Sequence, residues 1–143
     1  MEIQLYKQAH FLPRFGIMLK RFLPLLPLLL ITGCASALFT GLTPNEQPRN
    51  ANNLYPVEVV FDSSQQSLRW DSIHPYVLVN GALLPMHQVQ GMGNRWEGFV
   101  PVAPTDDAVI YRFKFDYDRN AFGSAPKPDS AYSPLYTLKI VSQ

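Results

Sequence analysis

After residue 54, apolar and polar side chains alternate with period two along most of the chain, the signature of strands with one buried face. The longest such stretch runs from Ala108 to Tyr117. Val109, Tyr111, Phe113, Phe115 and Tyr117 share one side of it, and Ile110, Arg112, Lys114 and Asp116 the other. Residues 135–141 repeat the pattern, with Tyr136, Leu138 and Ile140 opposite Thr137 and Lys139. Residues 57–61, 76–80 and 95–100 predict three more strands, and Ser67 to Trp70 a short edge strand. Asn80-Gly81 is a strong hairpin signal, which makes residues 82–89 the expected partner of 76–80. Residues 118–133, with Gly123, Pro126 and Pro128, read as a long loop. No segment carries helical periodicity. About seven short strands with evenly spaced turns predict an all-β, immunoglobulin-like β-sandwich over residues 55–143.

The chain before this domain has a different pattern. Lys20-Arg21 is followed by the apolar run of residues 22–31 and then by Thr32-Gly33-Cys34-Ala35-Ser36. A basic start, a short apolar segment and small residues at its end make a signal peptide over residues 1–33. The apolar run is too short to span a bilayer core and holds two prolines, Pro24 and Pro27. A start at Met18 would give the more compact signal.

Ile31-Thr32-Gly33-Cys34 resembles the lipobox of bacterial lipoproteins. The resemblance implies a diacylglyceryl group on the Cys34 sulfur, cleavage before Cys34 and acylation of the new amino terminus. Several acyl chains anchor stably where one does not. Ala35, in place of the Asp that retains such proteins at the inner membrane, implies the outer membrane. Residues 34–54, rich in Thr, Pro and Asn, then read as a lipidated flexible tether. Within it Ala37-Leu38-Phe39 is open to two readings, resting on the membrane surface or packing on the domain.

Composition narrows the function classes. Of twelve basic and eleven acidic residues, Lys7, Arg14, Lys20, Arg21 and Glu2 precede Cys34, leaving eight basic and ten acidic, a net −2. That balance offers no basic patch for a phosphate backbone, and nucleic acid is set aside. Cys34 is the one cysteine, so an internal disulfide and a multi-cysteine metal site are excluded. The mature histidines, His74 and His87, are thirteen residues apart and form no metal spacing. Asp116, Asp118 and Asp129 are the remaining candidates for a cation, although Ala121 and Lys127 break the calcium-loop pattern. Ser124-x-x-Lys127 matches a serine acyl-enzyme spacing, but Pro126 and Pro128 oppose the helix that spacing needs. Glu97 and Asp106-Asp107 offer carboxylates with no sign of facing each other. No cofactor, metal or enzyme activity is expected.

Trp96 to Pro101, followed by Tyr111 to Tyr117, resembles early-set immunoglobulin-like modules found beside glycoside-processing enzymes. The resemblance covers about 25 residues and implies glycan binding through exposed aromatic rings, for which Trp70 and Trp96 are the candidates. The leading expectation is a non-enzymatic, membrane-anchored interaction or assembly module of the cell envelope. Its partner would be another envelope protein, met through the long loop of residues 118–133. The alternative is a carbohydrate-binding module.

Overall fold

The computed structural model describes residues 37–142. The signal segment, the start at Met18, the lipobox and Cys34 lie outside the described residues. Among the described residues the chain forms ten strands: β1 (Ala37–Gly41), β2 (Glu46–Pro48), β3 (Leu54–Ser63), β4 (His74–Val79), β5 (Ala82–Pro85), β6 (His87–Gln88), β7 (Arg95–Pro101), β8 (Ala108–Ala121), β9 (Ser124–Tyr132) and β10 (Tyr136–Val141). They build two sheets, one in the order β1-β3-β7-β6 and the other β2-β10-β8-β4-β5, with β9 added to β8. β2 runs parallel to β10 and the other pairings are antiparallel. The chain is an all-β, immunoglobulin-like sandwich.

The period-two faces meet between the sheets. Val57, Val59 and Phe61 of β3 face Val77 and Val79 of β4 and the row from Val109 to Tyr117 of β8, and all are buried. At the centre the rings of Phe61 and Phe115 stack 4.6 Å apart. The Trp96 indole meets Phe115 edge-on at 5.0 Å. The Asn80-Gly81 turn behaves as its residues demand: both adopt positive φ, +48° and +80°, as a type I′ hairpin requires.

Four expectations are corrected. Residues 34–54 are not a tether throughout, because β1 and β2 lie within them. β1 pairs with β3, and Phe39 places its ring 5.0 Å from Phe61 and 5.3 Å from Phe115. Of the two readings of Ala37-Leu38-Phe39, packing on the domain holds for Ala37 and Phe39, while Leu38 stays exposed. The turn residues that suggested flexibility make the crossing from one sheet to the other. Thr43 Oγ1 accepts the Glu58 amide at 2.7 Å, and Gly41 sits so close to Tyr136 that a Cβ there would lie 2.8 Å from the ring.

Residues 82–89 do not form one hairpin arm. Pro85 has no N–H to continue the ladder. The chain changes sheets at Met86, which is buried, and β6 pairs with β7. Residues 67–70 make an isolated bridge, Leu68 to Arg119, followed by a 3₁₀ turn at Trp70–Ser72, rather than a strand.

The largest correction concerns residues 118–133. β8 continues to Ala121 and returns as β9, a projecting hairpin rather than a loop. Its turn places Gly123 at φ +67°. Pro126 and Pro128 are tolerated because β9 pairs on one side only, and edge strands accept proline.

If residues 37–41 are a strand of the core, Phe39→Ala should cost about 2–3 kcal/mol, somewhat less than truncation of a fully buried phenylalanine. Urea unfolding measures this. An unchanged midpoint would mean that the segment hangs free of the domain.

Candidate functional site

The alternation that buries one face of β8 presents Ile110, Arg112, Lys114 and Asp116 on the other. Register brings neighbours beside them. His74 lies opposite Asp116, Tyr76 opposite Lys114 and Leu78 opposite Arg112. Leu83 follows across β5, opposite Leu78. On the other flank Tyr132 lies opposite Lys114 and Ser130 opposite Asp116. The outer face of the second sheet is therefore a mixed surface of tyrosine, leucine and charge, and Ile110, Tyr132 and Leu83 are each exposed on it. The Arg112 guanidinium stands 4.5 Å from the centre of the Tyr132 ring, a cation–π contact that holds both long side chains in place.

Towards the hairpin this face becomes polar. Lys114 Nζ donates to Asp116 Oδ2 at 2.6 Å, and Ser130 Oγ donates to Asp116 Oδ1 at 2.6 Å. Burial alone would raise the Asp116 pKa, but the hydrogen bonds from Lys114 and Ser130, with the nearby charges of Lys114 and His74, hold it below its ordinary value. The hydrogen bond to Asp116 likewise pushes Lys114 up. Ser72, His74, Asp118, Pro128 and Asp129 complete an open concavity of about 460 Å³ around this cluster. On the opposite sheet Glu58 is paired with Arg95, whose hydrogen bond draws the Glu58 carboxyl down against the effect of burial.

The loop end of the sandwich is a second region of interest. β1 starts there, with Ala37 opposite Ser63, and the 64–73 connection, the 89–94 connection and the β8–β9 turn close it. The 64–73 connection is fastened to the hairpin: Arg69 N–H donates to Asp118 O at 2.9 Å and Asn120 N–H to Ser67 O at 2.7 Å.

The residues singled out in the sequence scatter through this frame. Trp96 is 4% exposed and locked against Phe115 and Phe61, so it is a core ring and not a glycan platform. The period-two pattern around it pointed inward. Trp70 is 47% exposed, packs one side near Phe61 at 6.0 Å and borders a concavity with Leu38, Asp62, Ser63 and Ser64. His74 and His87 sit in different sheets. Asp116 is engaged by Lys114, and Asp129 lies 3.6 Å from Arg119. Among the described residues no group of three or more His, Cys, Asp or Glu side chains is gathered to hold a metal. Ser124 and Lys127 lie on strand β9, beside the irregularity in its pairing with β8, so the helix turn that the acyl-enzyme spacing needs is not formed. Asp106 and Asp107 hold Arg49 through the Asp106 carbonyl and the Asp107 carboxylate, while Glu97 lies opposite Glu58 on β7.

Sequence reasoning missed the Arg112–Tyr132 and Asp116–Ser130 pairs. Their β8 halves were visible as the polar face of the strand. The partners were hidden because the prolines of β9 read as a loop.

No protein-family model matches the chain. No curated protein matches it either. A chain of the solved structure described as "Structural basis of T cell specificity and activation by the bacterial superantigen toxic shock syndrome toxin-1" superposes with a TM-score of 0.38 at 14% identity, covering 74% of this chain and 100% of that one. A superposition that loose carries no argument, and the architecture stands on the strand order itself.

A carboxyl held below its ordinary pKa stabilises the fold above that pKa and loses the contribution as pH falls through its folded value. Glu58 and Asp116 should therefore make the domain acid-sensitive from about pH 4 downwards. Asp116→Asn should lower the urea midpoint more at pH 7 than at pH 2.5. An equal loss at both pH values would show that the carboxylate charge is not what stabilises the hairpin.

Proposed function

We propose that this protein is a lipid-anchored module of the bacterial cell envelope that works by contact and not by catalysis. Cys34 carries the lipid, the organism's outer membrane is its site where one exists, and the outer face of β4, β8 and β9 meets another envelope protein. The observation that carries the contact reading is the Arg112–Tyr132 pair, flanked by Tyr76, Leu78, Leu83 and Ile110. Tyrosine and arginine held rigid beside exposed aliphatic side chains match the composition of protein-binding hot spots. The lipid anchor rests on Ile31-Thr32-Gly33-Cys34 at the end of the apolar segment.

A second reading keeps the glycan alternative on Trp70 alone. Its half-exposed ring borders a concavity with Asp62, Ser63 and Ser64, whose polar groups suit sugar hydroxyls.

Cys34→Ser should release the protein from the membrane fraction or leave the precursor uncleaved; mature protein that still fractionates with membranes refutes the anchor. For the contact face, Arg112→Glu with Tyr132→Ala should abolish crosslinking of the anchored protein to its partner in intact cells while the urea midpoint falls by no more than about 1 kcal/mol equivalent. Unchanged crosslinks would place the partner elsewhere. Loss of glycan retention on Trp70→Ala, with crosslinking intact, would favour the second reading.

A further inference from the structure

We propose that the loop end of the sandwich rests on the lipid surface itself, with Phe122, Trp70, Leu38 and Met92 in contact with the interfacial layer of the bilayer. The inference rests on the lipid anchor proposed for Cys34, and goes beyond it by naming the face of the domain that the membrane covers.

Four apolar side chains are exposed at this one end. Phe122, at the β8–β9 turn, is 109% exposed, more open than in an extended reference chain. Trp70 on the 3₁₀ turn, Leu38 on β1 and Met92 between β6 and β7 are each about half exposed. They are tied into one surface. Leu38 and Trp70 border one concavity, Phe122 borders the next, and Ser64 lines both. The connection carrying Met92 is fixed to the same end, where Asn94 Nδ2 donates to Asp62 Oδ1 at 2.9 Å. Folding normally covers such rings. Several apolar groups left open together at one end of a domain mark a surface that something else covers.

Chain length selects the occupant. Cys34 lies three residues before Ala37, and that link, whatever its path, spans no more than about 11 Å. The Phe39 and Phe115 rings are in contact, so the start of β1 lies level with the Asp116–Tyr117 part of β8. From Tyr117 the hairpin runs on to its turn at Phe122, five residues further, or about 16 Å. The hairpin therefore reaches further from the sandwich than the lipidated cysteine can hold the sandwich from the bilayer. With the described strand β1 in place of a long tether, the loop end faces the membrane at contact distance.

The chemistry agrees. A half-exposed indole such as that of Trp70 is a side chain favoured at a membrane–water boundary. The charges here are mixed in sign, with no excess of cations: Arg69, Arg119 and Lys127 stand among Asp62, Asp71, Asp118 and Asp129. The contact is therefore apolar in origin and should not require anionic lipid.

The test uses the purified mature lipoprotein in phosphatidylethanolamine vesicles, with and without phosphatidylglycerol, containing brominated phospholipid as quencher. Trp70→Phe leaves only the buried Trp96 and should be nearly insensitive. Phe122→Trp in that background should lose most of the introduced indole's emission, to the same degree in both vesicle types. Emission no more quenched than that of Trp96, in protein whose mass shows lipid on Cys34, overturns the inference and leaves the anchor standing. Absence of lipid on Cys34 overturns both. An indole shielded from aqueous acrylamide yet blind to brominated lipid means that a second copy of the chain covers the turn, and this too overturns the lipid assignment.

Discussion

The stack of Phe61 on Phe115 is the contact on which the rest of the sandwich depends. It joins the two sheets at their middle, one ring from each, and every other large ring of that half packs around it. Trp96 closes one side edge-on and Phe39 closes another from β1. Phe61 and Phe115 are fully buried, so they combine large apolar burial with a defined offset geometry. With no disulfide open to the domain, this aromatic cluster supplies the cross-sheet tie that a cysteine pair provides in many immunoglobulin-like domains.

The same alternation that builds the core decides what the surface offers. Each inward Phe or Val of β8 implies an outward Arg, Lys or Asp, and register sets those beside tyrosine and leucine from β4, β5 and β9. The outer face of β4, β8 and β9 is thus the reverse side of the core pattern. Its rigidity follows from that origin: Arg112 and Tyr132 stand on paired strands of the scaffold rather than on a loose connection, which lowers the ordering cost of binding.

The folding of residues 37–48 into both sheets changes how an anchored form of the domain would behave. A twenty-residue flexible tether would let the domain wander some distance from the bilayer. A strand that begins three residues after the anchor removes that freedom, and gives the two ends and two faces of the sandwich different surroundings. In the proposed arrangement the sheet face would stay lateral to the membrane, open to a neighbouring protein, and the loop end would point at the lipid.

The periodicity of β3, β4, β7, β8 and β10 was legible because each has one buried face. Burial writes itself into the order of residues wherever a strand is long and half covered. The Asn80-Gly81 turn was legible for a local reason, since few residue pairs tolerate two positive φ angles. The short and edge elements were not. β1, β2 and β9 carry Gly, Pro and polar side chains because they are held by one neighbour only, and a one-sided ladder asks little of the residues in it. The inward turn of Trp96 and the outward one of Trp70 depend on which strand lies across the gap, and the pairing of Arg112 with Tyr132 joins residues twenty apart. Local order thus determined the all-β class and the core face. Only the tertiary structure decided that the presumed tether is part of the sandwich, that the presumed loop is a hairpin, and which rings remain exposed, because those follow from long-range pairing, which leaves no mark on neighbouring residues.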